Sequence, residues 1–514
     1  MSDLLTDADY VRTTGQIATQ ISGIRFDSRE VKQGELFVAL AGQNFDGHDF
    51  LQDVLKQGAA ALAVQEDRQA KWERLLSETT VPIVVFPNTR AALSRLAAAF
   101  FDYPARQMVV IGVTGTDGKT SLVHLLGHVL RSAGLKAGLI STIQAEVDGE
   151  PVSEFSKRHT TPEAPQVQET LARMVAAGCR YAVIESTSHG LVQHRLDDCE
   201  YDIAVVTNVG RDHLDFHGSP EEYLAAKGKL FSLLDRSAEK GTEKTAVLNA
   251  DDASASYLAE QTRARKLTYG IDTEEVEVKA DDVVLKGWET NFRLRTRKGK
   301  RSVRLRQPGR FNVYNALAAV ATGLALGIDL EETVEALASW TGAPGRMELV
   351  EEGQPFKVVV DFAHAPDSLE RVLNFLRPLC QGKLIALFGC IGERDKQRRY
   401  PMGQISGRLA DYTIVTDDNP YTEDGAAIIE EIAAGLRSAR KQEGKDYELV
   451  ADRREAIRRA LSLARPGDIV LLAGKGHERT VTAGDRVYEC DDREVAGGLL
   501  RQEYASDQSK AANS

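Results

Sequence analysis

One stretch of the sequence, residues 108–132, constrains the fold more than any other. A continuous apolar run over residues 108–113 is typical of a buried parallel strand, and apolar side chains recur at helical spacing in residues 121–132. The junction between them has the glycine and Lys-Thr spacing of a phosphate-binding loop. It consists of Gly112, Val113, Thr114, Gly115, Thr116, Asp117, Gly118, Lys119 and Thr120. A strand, this loop and a helix in that order predict an α/β domain that binds a nucleotide.

The same loop predicts which groups hold the phosphates. Glycines let backbone N–H groups curl around phosphate oxygens, while the helix N-terminus and Lys119 supply positive charge. The Thr120 hydroxyl is suited to ligating Mg²⁺. Kinases, GTPases and ligases share such sites, so the loop does not specify the reaction.

Further apolar runs predict how the rest of the chain is organised. Strand candidates at residues 181–185 and 203–209 alternate with helical stretches, as a doubly wound parallel sheet requires. After the turn-rich residues 342–345, a second such series predicts a separate α/β domain. Its strand candidates are residues 357–360, 384–388, 413–415 and 469–472.

The chain of 514 residues is too long for a single hydrophobic core. The first hundred residues mix short apolar runs with turns, which predicts a small α/β module. We therefore expect three α/β domains over residues 1–105, 106–341 and 342–504. The small, polar residues 505–514 predict a disordered tail.

Charge and residue usage exclude several classes of protein. The net charge of -12 argues against nucleic acid as a partner. The N-terminus carries acidic residues where a signal peptide would be basic, and no apolar stretch is long enough for a membrane span. The five cysteines are scattered without metal-ligand spacing. We expect a cytoplasmic protein with reduced thiols and no membrane partner.

Two polar residues follow strands of the predicted central sheet. Glu185 ends the strand at residues 181–185, and His213 follows the next strand candidate. Open α/β sheets bind ligands at the carboxyl ends of their strands, so Glu185 could hold a metal and His213 could reach the same crevice. A surface acid and a capping histidine fit the sequence equally well.

Nine motifs in one order carry a resemblance that spans nearly the whole chain. They are Thr114-Gly115-Thr116-Asp117-Gly118-Lys119-Thr120, His159-Thr160-Thr161-Pro162, Ser188-His189-Gly190-Leu191-Val192-Gln193-His194-Arg195, residues 208–213, Tyr223-Leu224-Ala225-Ala226-Lys227, Gly309-Arg310-Phe311-Asn312, Gly345-Arg346-Met347-Glu348, Asp361-Phe362-Ala363-His364 and Gly474-Lys475-Gly476-His477-Glu478. With these motifs the chain resembles the Mur ligase family. The family implies an N-terminal domain for the UDP end of the substrate, a central P-loop ATPase with a mostly parallel sheet, and a C-terminal Rossmann-like domain for the acceptor.

The resemblance is closest to the branch that adds a diamino acid to UDP-N-acetylmuramoyl-L-alanyl-D-glutamate in peptidoglycan precursor synthesis. It implies ATP and Mg²⁺ as cofactors and an acyl-phosphate intermediate. Arg346 resembles an arginine that approaches the phosphates when the C-terminal domain closes. Asn312 and Asp361 match positions that hold the nucleotide, although from the residues alone they could cap a helix and end a strand in a turn.

The resemblance also implies residues for the UDP substrate. Ser28, Gln43, Asn44 and Phe45 would contact the uridine end. The sugar, diphosphate and dipeptide would be held by His159, Thr160, Thr161, Thr187, Gln193 and Arg195.

Lys227 lies on a helical run, where a lysine is by default a solvated charge. The lysine at the matching family position is carbamylated, and a carbamate is a carboxylate-like ligand. With this modification Lys227 would join Thr120, Glu185 and His213 around Mg²⁺.

The acceptor is the least determined part of the prediction. The resemblance assigns it to Arg394, Asp418, Asn419, Pro420, Tyr421, Gly474 and Glu478. Family members that use meso-diaminopimelate carry arginine where this chain has Tyr421, and tyrosine lacks the charge and two-pronged geometry of a guanidinium. Lysine and ornithine therefore stay open beside diaminopimelate, whose pattern Arg394 and the Gly474 to Glu478 motif match.

Two other interpretations of the sequence remain. The chain could be another Mur-type or folylpolyglutamate-type amide ligase, or a silent paralogue that binds nucleotide. Lys119, Glu185, Lys227 and Arg346 occur together, which argues against a silent copy. A monomer is the expected form.

Overall fold

A computed structural model describes residues 1–42, 45–152 and 160–511 and divides the chain into two compact units. The first comprises Met1–Val284, Asn291–Leu305 and Arg310–Trp340, and the second comprises Leu285–Thr290, Arg306–Gly309 and Thr341–Ser514. Gln43, Asn44 and His159, which the family resemblance assigns to substrate binding, lie outside the described residues. Within the described ranges, no helix is both long and apolar enough to cross a membrane.

The first unit begins with a small α/β module. Its elements are β1 (Arg12–Thr14), β2 (Ile24–Arg25), β3 (Leu36–Val38), α1 (Leu51–Lys56), β4 (Ala61–Gln65), α2 (Gln69–Trp72), β5 (Ile83–Phe86) and α3 (Thr89–Phe100). The described strands form a sheet of order β1-β5-β4-β3-β2, with β1 antiparallel and the other pairs parallel. Val38, Val84 and Leu96 share one buried cluster, so α3 covers one face of this sheet.

A larger sheet occupies the rest of the first unit. Its elements are β6 (Val109–Thr114), α4 (Lys119–Ser132), β7 (Ala137–Ile140), β8 (Ala145–Val147), β9 (Glu150–Pro151), α5 (Ala164–Ala176), β10 (Tyr181–Glu185), α6 (Ser188–Val192), β11 (Ile203–Val206), α7 (Leu214–His217), α8 (Pro220–Leu234), β12 (Thr245–Asn249), α9 (Ala255–Glu260), β13 (Arg265–Gly270), β14 (Val278–Lys286), β15 (Glu289–Thr296), β16 (Gly299–Leu305), α10 (Arg310–Ala325) and α11 (Leu330–Ser339). In the described part of the chain the strand order is β16-β15-β14-β13-β12-β11-β6-β10-β7-β8-β9. The central strands from β13 to β7 are parallel.

Helices cover both faces of this sheet. Successive residues of β6 point to opposite sides, so Ile111 packs in one apolar cluster with Leu126 of α4, and Val110 packs in another with Leu230 of α8. Gly112 of β6 lies where a Cβ would be 2.6 Å from the Leu230 side chain. The missing side chain allows α8 to pack closely beside the loop that follows β6.

The second unit contains its own mostly parallel sheet. Its elements are β17 (Glu348–Val350), β18 (Lys357–Asp361), α12 (Pro366–Leu376), β19 (Leu384–Phe388), α13 (Arg399–Leu409), β20 (Tyr412–Val415), α14 (Gly425–Ser438), β21 (Tyr447–Leu449), α15 (Arg453–Leu463), β22 (Ile469–Ala473), β23 (Thr480–Ala483), β24 (Arg486–Glu489) and α16 (Asp492–Ala511). Over the described residues the sheet has the order β17-β18-β22-β19-β20-β21, with β17 antiparallel to β18. β23 and β24 form a separate hairpin.

These sheets confirm the α/β class and the mostly parallel strands predicted from the sequence. The run predicted over residues 203–209 is shorter as a strand, because β11 ends at Val206. α16 extends through Ala511, into the segment predicted to be disordered.

Candidate active site

The loop between β6 and α4 depends on two glycines. Gly115 has φ = +150°, and a Cβ there would lie 1.9 Å from the Thr207 hydroxyl oxygen. Gly118 has φ = +82°, and its Cβ would lie 2.8 Å from Oδ1 of Asn315. Gly118 caps α4 without a side-chain hydrogen bond. The loop and the helix N-terminus can therefore offer backbone N–H groups to a phosphate.

Two lysines converge on this loop. Nζ of Lys119 donates hydrogen bonds to the carbonyl oxygens of Gly115 at 3.0 Å and Thr116 at 2.9 Å. Nζ of Lys227, which lies on α8, donates to the Gly115 carbonyl at 2.6 Å. Both side chains therefore lie against the loop predicted to bind ATP, where the charge of Lys119 favours an anionic ligand.

Lys227 is buried rather than solvated. The residue is 1% exposed, and its Nζ lies 4.2 Å from the centre of the Tyr223 ring. Burial, followed by the nearby charge of Lys119, lowers the pKa of Lys227 well below its usual value. Burial therefore favours the neutral amine of Lys227 over the ammonium form, and a neutral amine is a nucleophile.

Glu185 is the centre of a buried polar cluster at the end of β10. Its carboxylate accepts hydrogen bonds from the Thr120 hydroxyl at 3.0 and 3.1 Å, and from N and Oγ1 of Thr142 at 2.8 and 3.0 Å. The hydroxyl oxygens of Thr142 and Thr160 lie 3.2 Å apart. A carboxylate beside a hydroxyl offers the hard oxygen ligands that Mg²⁺ takes, so Thr120 and Glu185 fit this metal. Lys227 fits only after modification, since an ammonium group has no lone pair to donate.

His213 lies at the cap of α7, in a left-handed conformation with φ = +51°. Its half-exposed ring is 4.8 Å from the ring of His189, and its Nε2 is 3.4 Å from a carboxylate oxygen of Asp212. Burial, and then the charge of His213, lower the pKa of His189 to about 4. Among the described residues, His213 has no hydrogen bond to Glu185 or Lys227, and no cluster of three His, Cys, Asp or Glu side chains could hold a metal. The metal role of His213 stays a prediction.

A chain of hydrogen bonds joins Glu185 to residues assigned to the sugar, diphosphate and dipeptide. The Thr161 hydroxyl donates to the main-chain oxygen of Glu185 at 2.9 Å and lies 2.9 Å from the Thr187 hydroxyl. Arg195 donates from Nη1 to the Thr161 carbonyl at 2.7 Å and from Nη2 to Oε1 of Gln193 at 2.6 Å. Hydrogen bonds therefore hold these residues together next to the oxygen atoms of Thr120 and Glu185.

A separate cavity of about 420 Å³ is lined by Ser28 and Phe45, two of the residues assigned to the uridine end. Other aromatic side chains form part of its wall, namely Phe26, Phe37 and Phe50. An apolar wall with a few polar groups suits a flat base with polar edges.

In the second unit, Arg346 stacks on an aromatic ring. Its guanidinium carbon lies 4.6 Å from the centre of the Phe362 ring, and its Nε is buried without an acceptor among the described residues. Asp361 accepts hydrogen bonds from N of Met347 at 2.8 Å and N of Ala363 at 2.9 Å, and burial raises its pKa. Asp361 thus fixes the backbone next to Arg346.

Three of the acceptor residues meet in one polar cluster. Nδ2 of Asn419 donates to Oε2 of Glu478 at 2.9 Å and to Oδ1 of Asp418 at 3.2 Å. Nζ of the buried Lys475 lies 3.0 Å from Oε2 of Glu478. Oδ2 of Asp418 is buried with no donor in the described part of the chain, and it would be 3.2 Å from a Cβ on Gly474. This carboxylate can accept a hydrogen bond from an ammonium group.

Pro420, Tyr421 and Arg394 lie on two adjoining loops. A Cβ on Gly392 would be 2.0 Å from the Pro420 carbonyl oxygen, so the loop that carries Arg394 packs directly on the Pro420 loop. Tyr421 has φ = +52°, and its N donates to the Thr482 carbonyl at 3.1 Å. Arg394 is exposed. A charged side chain and a phenol thus lie on neighbouring loops near the Asp418 cluster.

Three residues of these clusters were not predicted from the sequence. Thr142 follows β7 at a carboxyl end of the sheet, Asn315 lies one turn after Asn312 on α10, and Lys475 lies inside the motif that supplied Gly474 and Glu478. The sequence signals are an apolar run just before Thr142 and the helical spacing of Asn315 from Asn312, but neither signal gives the contacts that these residues make.

Comparison with known families identifies all three parts of the chain. The Mur ligase family catalytic domain matches residues 20–101, the Mur ligase middle domain matches residues 113–323, and the Mur ligase glutamate ligase domain matches residues 345–476.

Individual relatives match over nearly their full length. A UDP-N-acetylmuramoyl-L-alanyl-D-glutamate–2,6-diaminopimelate ligase of Bacillus velezensis is 42% identical, with 93% of this chain and 94% of the relative covered. A UDP-N-acetylmuramyl-tripeptide synthetase of a Roseiflexus species is 44% identical over 94% of this chain and 95% of the relative. A solved structure of a UDP-N-acetylmuramoyl-L-alanyl-D-glutamate–2,6-diaminopimelate ligase is similar with a TM-score of 0.64 and 30% identity, over 94% of this chain and 95% of that one.

Proposed function

Because the chain belongs to the Mur ligase family of ATP-dependent, amide-bond-forming ligases, we propose that it joins a diamino acid to UDP-N-acetylmuramoyl-L-alanyl-D-glutamate. The names of relatives about 40% identical over most of the chain support this substrate. In this proposal residues 1–105 bind the UDP end, residues 106–341 bind ATP, and residues 342–504 bind the acceptor. The product is a precursor of peptidoglycan.

The observation that carries the proposal is the buried group of Thr120, Glu185 and Lys227 beside the phosphate loop. Oxygen atoms of Thr120 and Glu185 and a lysine with a lowered pKa lie beside the phosphate loop that Lys119 also contacts. The neutral Lys227 amine attacks the carbon of CO₂ and loses a proton, which forms a carbamate. That change turns a buried cation into an anionic oxygen ligand and removes the repulsion with Lys119.

The chemistry requires activation, because a carboxylate is a poor electrophile. Its oxygen attacks the γ-phosphorus of ATP, ADP leaves, and an acyl phosphate forms. A neutral amine of the acceptor then attacks the acyl carbon, phosphate leaves, and the amine loses a proton. Mg²⁺, when bound, supplies charge that offsets the phosphate oxygens. Lys119 offsets further charge as the phosphoryl group moves, and Arg346 is the second-unit cation that would approach it.

The acceptor in this proposal is 2,6-diaminopimelate, with lysine as the second candidate. The first is supported by the names of the relatives and by the exposed Arg394, which can pair with a carboxylate. The second is favoured by Tyr421, which supplies only one neutral hydrogen bond. Glu478 and the unpaired Oδ2 of Asp418 suit the ammonium groups that both acceptors share.

The test is phosphate release by purified enzyme supplied with ATP, Mg²⁺, the UDP-linked dipeptide and each amino acid in turn. We expect release that depends on both the dipeptide and a diamino acid. Release without either substrate, or with D-glutamate or D-alanyl-D-alanine as the productive acceptor, would contradict the proposal.

A further inference from the structure

Arg90 contributes a cation to the cavity that Ser28 and Phe45 line. It lies in the first turn of α3, two residues after the N-cap Asn88, and its side chain is partly buried. Nη1 of Arg90 is shielded from solvent and has no acceptor among the described residues. A buried guanidinium donor without an acceptor is unfavourable, so this group is suited to a ligand that brings one.

The acidic residues that line the cavity are already paired with other cations. Glu163 lies 2.8 Å from Arg195, and Asp27 accepts hydrogen bonds from Arg29 at 2.9 and 2.5 Å. Burial lowers the pKa of Arg195, its partner Glu163 raises it, and the nearby charge of Arg90 lowers it, so the two guanidinium groups repel each other. The guanidinium groups of Arg29, Arg90 and Arg195 therefore outnumber the carboxylates of Asp27 and Glu163 by one.

The position of Arg90 indicates which anionic group of the substrate it contacts. The cavity contains residues assigned to the uridine end, while Arg195 belongs to the group assigned to the sugar, diphosphate and dipeptide. The diphosphate is the anionic part of the substrate that joins these two ends. We propose that the Arg90 guanidinium binds the diphosphate of the UDP substrate, an inference that rests on the proposed function. Its planar donors match two phosphate oxygens, which a single ammonium group cannot do.

Three variants test this role: Arg90→Ala, Arg90→Gln and Arg90→Lys. Arg74→Ala is the matched control, because Arg74 is an exposed arginine of the same module that does not line the cavity. We expect Arg90→Ala and Arg90→Gln to raise the KM for the UDP-linked dipeptide about 10- to 100-fold with little change in kcat or in the KM for ATP. Arg90→Lys should recover part of the loss, and Arg74→Ala should match the wild type.

Binding of UDP and of uridine, measured by calorimetry, separates the diphosphate from other anions. Arg90→Ala should weaken the affinity for UDP about 10-fold or more and leave the affinity for uridine unchanged. An unchanged UDP affinity with weaker binding of the dipeptide substrate would assign Arg90 to a peptide carboxylate and overturn the proposal. An equal loss of affinity for UDP and for uridine would indicate a structural role and overturn the proposal. A lower unfolding temperature that Arg90→Lys does not restore would do the same.

The failure of this proposal can be told apart from failure of the proposed function. If wild-type enzyme neither binds nor uses the dipeptide substrate, the proposed function fails. If it does both and Arg90→Ala matches it, only the role of Arg90 fails.

Discussion

At the scale of single residues, Lys227 carries the most information about mechanism, because its burial is costly unless its charge is removed. Lys227→Ala should lower kcat about 100-fold or more, since in the proposed mechanism it deletes an oxygen ligand of Mg²⁺. Short carboxylates such as acetate should restore part of the activity. Lys229→Ala is the matched control, because Lys229 is exposed on the same helix. Normal ligation by Lys227→Ala would refute the carbamate.

The lowered pKa of Lys227 also predicts how the carbamate depends on pH. Only the neutral amine reacts with CO₂, and the amine is neutral above its pKa. In enzyme incubated with ¹³C-bicarbonate, we expect a carbamate NMR signal that persists below the ordinary lysine pKa and falls as the pH decreases through the lowered pKa. The signal should be missing in Lys227→Ala. A carbamate that forms only near the ordinary lysine pKa would show that the buried environment does not favour it.

Variants of Tyr421 and Arg394 test which acceptor the enzyme uses, through the ratio of kcat/KM between acceptors. If the enzyme uses lysine or ornithine, Tyr421→Arg should raise kcat/KM for diaminopimelate by adding a charged partner for its second carboxylate. If it already uses diaminopimelate through Arg394, Arg394→Ala should reduce diaminopimelate use more than lysine use. The measurement is kcat/KM for the three acceptors with wild type and both variants. Unchanged ratios would mean that neither residue contacts the distal end of the acceptor.

At the scale of secondary-structure elements, two glycines distinguish the effect of a close contact from the effect of backbone conformation when alanine replaces glycine. Gly115→Ala should abolish measurable ATP binding, because its Cβ would collide with Thr207. Gly134, after α4, is the matched control: it has φ = +70° but open space around it, so Gly134→Ala should cost about 1 kcal/mol of stability and leave ATP binding intact. Calorimetry with ATP and thermal unfolding distinguish the two effects. Tight ATP binding by Gly115→Ala would contradict the loop geometry.

Elements with a strong local pattern were predictable from the sequence. The apolar runs at residues 181–185 and 384–388 coincide with β10 and β19, and the helical spacing in residues 121–132 falls within α4. These features depend on burial and backbone conformation over a few residues, which the sequence encodes directly.

Side-chain contacts between distant elements were not predictable in this way. The hydrogen bonds of Thr142 to Glu185 and the approach of Asn315 to Gly118 depend on strand order and on the packing of α10. The burial of Lys227 depends on the close packing of α8 against Gly112, so only the family resemblance distinguished it from a solvated lysine. The strand 203–209 was predicted too long because polar Thr207 and Asn208 turn inward to bond the phosphate loop.

At the scale of the whole molecule, the two nucleotide-type sites of the first unit should be separable. Lys119 donates hydrogen bonds to the phosphate loop, whereas the cavity lined by Ser28 lies mostly in the N-terminal module. Lys119→Ala should therefore lower kcat about 100-fold or more while the affinity for the UDP-linked dipeptide stays within about twofold. Calorimetry with each substrate tests this. Loss of both binding events in a folded variant would contradict the separation of the sites.

The central claim is that ATP activates the carboxylate of the UDP substrate by phosphoryl transfer before the amine attacks. The most direct test is ligation with a dipeptide substrate whose glutamate carboxylate oxygens are labelled with ¹⁸O, followed by mass analysis of the released phosphate. An acyl phosphate predicts that one labelled oxygen moves to inorganic phosphate for each tripeptide formed, with ADP as the other product. Unlabelled phosphate, or release of AMP, would contradict the claim.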